Sequence, residues 1–188
     1  MLVGCGADIN HRDAGGWTAL QAGIAEGAYG EPLAALLRYG ADANLRVSGE
    51  AGCRCTWEDG RVQEVFAAND TALTLAVRCC RPDVVQLLLQ SGVDANQCAE
   101  VDGVEHATAL MIAAGSGSLH AFSLLMDHGA DAARADASHQ TALDYAEQYR
   151  QGCLEFNAMN QPFEVYCRWM EVHAAMVHRL QASIGQCV

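Results

Sequence analysis

The nine residues Leu36–Asn44 read LLRYGADAN, and nearly the same string returns as LLQSGVDAN at Leu88–Asn96 and as LLMDHGADAA at Leu124–Ala133. A fourth, damaged copy, LVGCGADIN, stands at Leu2–Asn10. Self-similarity at long spacing constrains a chain strongly. Each copy belongs to a supersecondary unit that can bury its apolar face only against its neighbours. Every copy is answered downstream by Thr-Ala-Leu, at Thr18, Thr71, Thr108 and Thr141. From the first three of these threonines to the next glycine of the string (Gly40, Gly92 and Gly129) is 22, 21 and 21 residues.

That interval holds two short helices. A threonine suits an N-cap, since its hydroxyl accepts from the first free backbone amides, and Gln21 three residues on completes a capping box. Gly27 and Gly117 end the first helix where a left-handed residue is wanted. The second helix carries apolar residues at helical spacing: Leu33, Leu36 and Leu37, then Val84, Val85, Leu88 and Leu89, then Phe122, Leu124 and Leu125. The pattern predicts helices near 18–27, 32–39, 71–79, 82–91, 108–116, 119–128 and 141–150. None is long enough to be stable alone. Without a complete helix pair before Thr18, the apolar side of Leu20, Ile24, Leu33 and Leu36 is expected to lack cover.

DAGGWTALQAGIAEG…LAALLRYGADAN and TALTLAVRCCRPDVVQLLLQSGVDAN resemble ankyrin repeats, whose pattern is D-x-x-G-x-T-P-L-H-x-A-A-x-x-G, an apolar second helix, then G-A-D-x-N. The resemblance covers roughly residues 1–156, as an opening half-repeat, three helix pairs and a fourth beginning at Thr141. It implies an all-α solenoid of stacked helix pairs with β-hairpin-like fingers. The fingers and first helices of that family form a concave face for a protein partner. The chain departs from the pattern in three ways. Alanine replaces the proline after each threonine. Gln21, Thr74, Met111 and Asp144 stand where the family has a histidine, implying loss of its hydrogen bonds between repeats. Cys80 and Arg150 stand where the family has a left-handed glycine, implying local strain.

The same resemblance marks the positions that face the groove. They are Ala25 and Glu26, Arg78 and Cys79, Gly115 and Ser116, and Gln148 and Tyr149. Trp17, at a finger tip with Asp70, Ala107 and Gln140 as counterparts, is expected either as an exposed anchor or packed on Gly15, Gly16 or the next finger. Asp127, on a second helix, is expected to be uninvolved. Asn44 and Asn96 resemble the asparagine-hydroxylation sites of ankyrin fingers, implying an asparaginyl hydroxylase as a further partner.

Two pieces are irregular. Asn44 to Thr71 is 27 residues where the short fingers have 8, so an insertion occupies about 45–69. Trp57, Val62, Val65 and Phe66 suggest that part of it packs back, and Asp59-Gly60 suits a hairpin turn. A smaller insertion of four residues follows Asn96. Residues 157–188 form a second segment, in which Phe163, Tyr166, Met170, Val177 and Leu180 fall near one helical face that is expected to cover the last repeat.

Composition narrows the function. The formal net charge of −12 argues against nucleic acid and mildly favours a basic or neutral protein partner. Apolar runs are too short to span a bilayer. Nine cysteines, an odd number with no basic stretch leading into an apolar one at the N-terminus, suit the reducing cytoplasm or nucleus. Cys53, Cys55, Cys79 and Cys80 offer four thiolates, and with them an alternative reading as a metal- or redox-responsive module. Their spacing is not C-x-x-C, so ordinary thiols are expected. No nucleophile elbow, phosphate loop, H-E-x-x-H or dinucleotide fingerprint is present, so neither catalysis nor a cofactor is expected.

Overall fold

The computed structural model describes residues 6–28, 30–48, 52–56, 62–66, 69–101, 103–157 and 163–185; for 52–56, 62–66, 101, 153, 155–157 and 163–169 only the backbone is described. Each Thr-Ala-Leu starts a helix. The first helices are α1 (Ala19–Ala25), α3 (Ala72–Arg78), α5 (Ala109–Ser116) and α7 (Ala142–Asn157). The hydroxyls of Thr18, Thr71 and Thr108 accept from the backbone N–H three residues on. In return, the side chains of Gln21, Thr74 and even Met111, through its sulfur, accept from the threonine N–H. Asp144 accepts from the Thr141 N–H and hydroxyl, each at 2.7 Å, and these bonds hold its carboxyl below the ordinary value.

The second helices are α2 (Glu31–Arg38), α4 (Pro82–Gln90) and α6 (Leu119–Asp127), antiparallel to their partners across tight turns. The ends of these helices fall within two residues of the sequence expectation. α3 packs against α1, α4 and α5, and α5 against α3, α6 and α7. An inner helix enclosed on three sides must be apolar all round, which is why α3 reads ALTLAVR and α5 ALMIAAGS. One core runs from Trp17 to Leu180.

The fingers differ in build. The short ones close through single bridges, Arg12 to Thr18 and Ala135 to Thr141. The insertion folds into an antiparallel hairpin of β1 (Gly52–Thr56) and β2 (Val62–Phe66), in register from Gly52–Phe66 to Thr56–Val62. The expected turn at Asp59-Gly60, and Trp57 with it, lies outside the described residues. The smaller insertion makes β3 (Cys98–Val101) and β4 (Val104–Thr108), with an irregularity between Ala99 and Val101.

Three expectations are corrected. Leu20, Ile24 and Leu33, expected to lack cover, are buried. The α1–α2 turn folds tightly, with Leu33 against Gly23, and α3 covers the rest. Tyr39, 49% exposed, is the large apolar side chain left open among the described residues of that end. Next, a bond between repeats survives without histidine, because Gln21 Nε2 donates to the Leu45 carbonyl at 2.6 Å. Finally, Arg150 carries no left-handed strain. α7 runs straight through it to Asn157, where arginine is a better helix former than glycine and pairs with Glu147. That pairing lowers the Glu147 pKa. α8 (Phe163–Gly185) then lies against α7 and α6 and buries Met176 and Leu180, while Asp127 meets Arg179 of α8 at 2.7 Å. Asp127 and Arg179 are both solvent-exposed, so the pair adds little to stability. Phe163 and Tyr166 have no described side chains.

Cys80 does adopt the left-handed conformation expected of it, at φ 53°. Relieving about 1–2 kcal/mol of strain outweighs the roughly 0.5–1 kcal/mol that glycine's extra chain entropy costs. Cys80→Gly is therefore expected to raise the unfolding free energy by about 0.5–1 kcal/mol, visible as a higher urea midpoint at unchanged slope. A lower midpoint would show that the thiol contributes packing that outweighs the strain.

Candidate functional site

α1, α3, α5 and α7 stand side by side, and the fingers lie next to one another in the same order. The Ser48 N–H and hydroxyl both donate to the Gly16 carbonyl at 3.3 Å, joining the base of the inserted finger to the first finger. Arg46 donates to the Cys98 carbonyl at 3.3 Å and Asn69 to Glu100 at 3.0 Å, joining it to the third. The Ala137 N–H donates to the Glu105 carbonyl at 3.0 Å, joining the third to the fourth. Helix ends and fingers thus make one continuous surface.

The expected contact residues divide into two groups along it. Glu26 is exposed at the end of α1, and Ala25, Ser116, Gln140 and Tyr149 are partly exposed. The other four are corrected as contact residues. Trp17 takes the second of its two expected places: it is 8% exposed, its ring lies against Gly15, and its backbone N–H donates to the Asp13 carboxylate at 2.9 Å. Cys79 is buried. Asp70 is fully buried, and Arg78 Nε stands 3.5 Å from its carboxylate with 9% of the arginine side chain exposed. A partner meets little of these four, because Cys79 lies in the core at the end of α3, Trp17 packs within its own finger, and Asp70 and Arg78 face each other between finger and helix.

Some structural residues were missed in the sequence. Asp136, buried, accepts from the N–H groups of Ser138 and Gln140 and from the Tyr145 hydroxyl at 2.8 Å. Its signal is its alignment with Asp13 of the D-x-x-G in the first finger, although His139, at φ 60°, stands here where Asp13 is followed by Gly16. Arg81 donates to the Ala28 carbonyl at 2.8 Å and to that of Ile24 at 3.5 Å, capping the end of α1 from the next repeat. Burial pushes the pKa of Asp83 up, but hydrogen bonding and charge from Arg81 outweigh it and leave the carboxyl below its ordinary value.

The two asparagines are unlike each other. Asn96 is held by Gly129 and Asp131, whereas Asn44 is exposed. Of the four thiols, Cys79 and Cys80 flank the α3–α4 turn, and the side chains of Cys53 and Cys55 lie outside the described residues. Among the described residues no three His, Cys, Asp or Glu side chains converge on a metal position. No described helix is long and apolar enough to cross a membrane.

The family profile described as "Ankyrin repeats (3 copies)" matches residues 1–99 and 73–156. A glycerophosphocholine phosphodiesterase of Schizosaccharomyces pombe, gde1, is 40% identical over 83 residues, which is 44% of this chain and 7% of that protein.

Proposed function

The chain belongs to the ankyrin-repeat family, and from that premise we propose that it is a protein-interaction module of the cytoplasm or nucleus without catalysis of its own. The continuity of the inner helix ends and fingers carries this reading. Adjacent helices and fingers carry Ala25, Glu26, Ser116, Gln140 and Tyr149, and the finger that bears the β1–β2 hairpin is joined at its base to the first and third fingers. Pre-organised surfaces of this kind bind with little ordering cost. The segment shared with the phosphodiesterase is 7% of that protein, which suits a binding part rather than an active centre. Exposed Asn44 is the better of the two candidates for an asparaginyl hydroxylase, since Asn96 would first have to leave its two hydrogen bonds.

Photo-crosslinking residues placed at Glu26 and Ser116, with Gln86 on the exposed side of α4 as control, test the surface. Discrete adducts are expected from the first two and none from the third. A dominant adduct at Gln86 would move the working surface to the outer helices. Removing the inserted hairpin must spare Val47, which is buried and exchanges backbone hydrogen bonds at 2.9 Å with Asn69 and Asp70. Deletion of residues 49–67 is then expected to alter partner affinity while the helical signal stays unchanged.

A further inference from the structure

Asn96 shows how this chain holds a carboxamide between repeats. Its Oδ1 accepts from the Asp131 N–H at 2.7 Å, and its Nδ2 donates to the Gly129 carbonyl at 3.1 Å. Asn10 makes the first of these contacts at the opening junction, accepting from the Asp42 N–H at 2.8 Å. At the junction between them the equivalent groups are the Gly92 carbonyl and the Asp94 N–H, and Asn44 is the residue in line to serve them. Asn44 instead points no hydrogen bond at either group, and neither group has a partner among the described residues. Both line a cavity of about 520 Å³ between the C-terminal ends of α2 and α4, with Leu37, Ala41 and Val93 as its apolar wall.

We infer that this cavity is a binding site for the carboxamide side chain of a partner protein's glutamine or asparagine. The pair of backbone groups equivalent to the one that holds Asn96 belongs here to two solvent-exposed residues, Gly92 and Asp94, on the cavity wall. The cavity is the size of small-ligand sites and carries the apolar wall that a glutamine's methylene stem covers. Asp42 and Asp94 stand at the rim, each with one oxygen already accepting from its own loop at 2.8 and 2.9 Å. Their charge repels a carboxylate of the same shape, while Arg38 at the edge is paired with Glu31 at 2.9 Å. Glutamine is thereby separated from glutamate. The site lies apart from the inner helix ends and does not depend on them.

The test is a nuclear magnetic resonance titration of the full chain, labelled with nitrogen-15, with N-acetylglutaminamide and in parallel N-acetylglutamate amide. The Asp94 amide is expected to shift saturably with the first and about tenfold more weakly with the second. Ala41→Leu, which fills the wall, is expected to abolish the response while leaving the spectrum elsewhere in place. Equal response to the acid, or an unresponsive Asp94, would overturn the proposal even if that variant fails to fold. In the free protein, Asn44→Ala is expected to leave the Asp94 amide where it was. If it moves as far as Asp131 moves in Asn96→Ala, Asn44 itself occupies the cavity in solution and the site belongs to no partner.

Discussion

Asp70→Ala is expected to lower the unfolding free energy by about 3–5 kcal/mol, because it breaks a buried ion pair by removing the carboxylate beside the nearly buried Arg78 guanidinium. Asp70 is fully buried and Arg78 nearly so, with 3.5 Å between Nε and the nearer oxygen. Water cannot replace the lost charge at that depth. Set against a usual total of roughly 5–15 kcal/mol for a folded domain, the loss leaves little stability in hand. Equilibrium urea unfolding measures it, and the double variant Asp70→Ala/Arg78→Met completes the test. Removing both charges is expected to recover most of the loss, since a buried pair replaced by apolar groups is often neutral. A single variant that costs under about 1 kcal/mol would show a pair solvated as surface pairs are.

Gly117→Ala carries the second large effect. Gly117 sits at φ 72°, and a Cβ there would stand 2.3 Å from Tyr149 Cζ. The left-handed backbone costs an alanine about 1–2 kcal/mol. Displacing the Tyr149 ring adds roughly the 1–3 kcal/mol of an overpacked site. The expected loss is about 2–5 kcal/mol by urea or thermal unfolding. Gly117→Ala/Tyr149→Ala is expected to recover the packing part alone, because truncating the ring leaves the backbone conformation unchanged. Full recovery would mean that the left-handed turn costs nothing here. The same contact qualifies Tyr149 as a binding residue, since one side of its ring is already spent on the turn.

The repeat architecture was readable because its causes are local. Threonine caps, left-handed glycines and apolar spacing act within a few residues, and they locate the helices wherever they occur. Cys80 was readable for the same reason, as it stands where a turn demands a positive φ. α7 was misjudged because the sequence offers a repeat-like start at Thr141, while its length is decided by α8 packing alongside. The site was less legible. Trp17 and Asp70 occupy finger positions that look solvent-facing in one dimension, and only the approach of the neighbouring elements buries them. Arg81 bonds to residues more than fifty positions away, a distance over which no short pattern carries information.

The opening between α2 and α4 also bears on how the chain loses its structure. In a linear array, cooperativity is a series of couplings between adjacent units, and the weakest coupling decides where the series parts. α5, α6, α7 and α8 grip one another through several shared surfaces, whereas α1 and α2 hold to the rest chiefly through α3, the Arg81 cap and the finger bases. The first pair can therefore detach while the later ones keep their order. The N-terminal third then acts as a hinged leaf, and its attachment is set by the seam beside it rather than by its own packing.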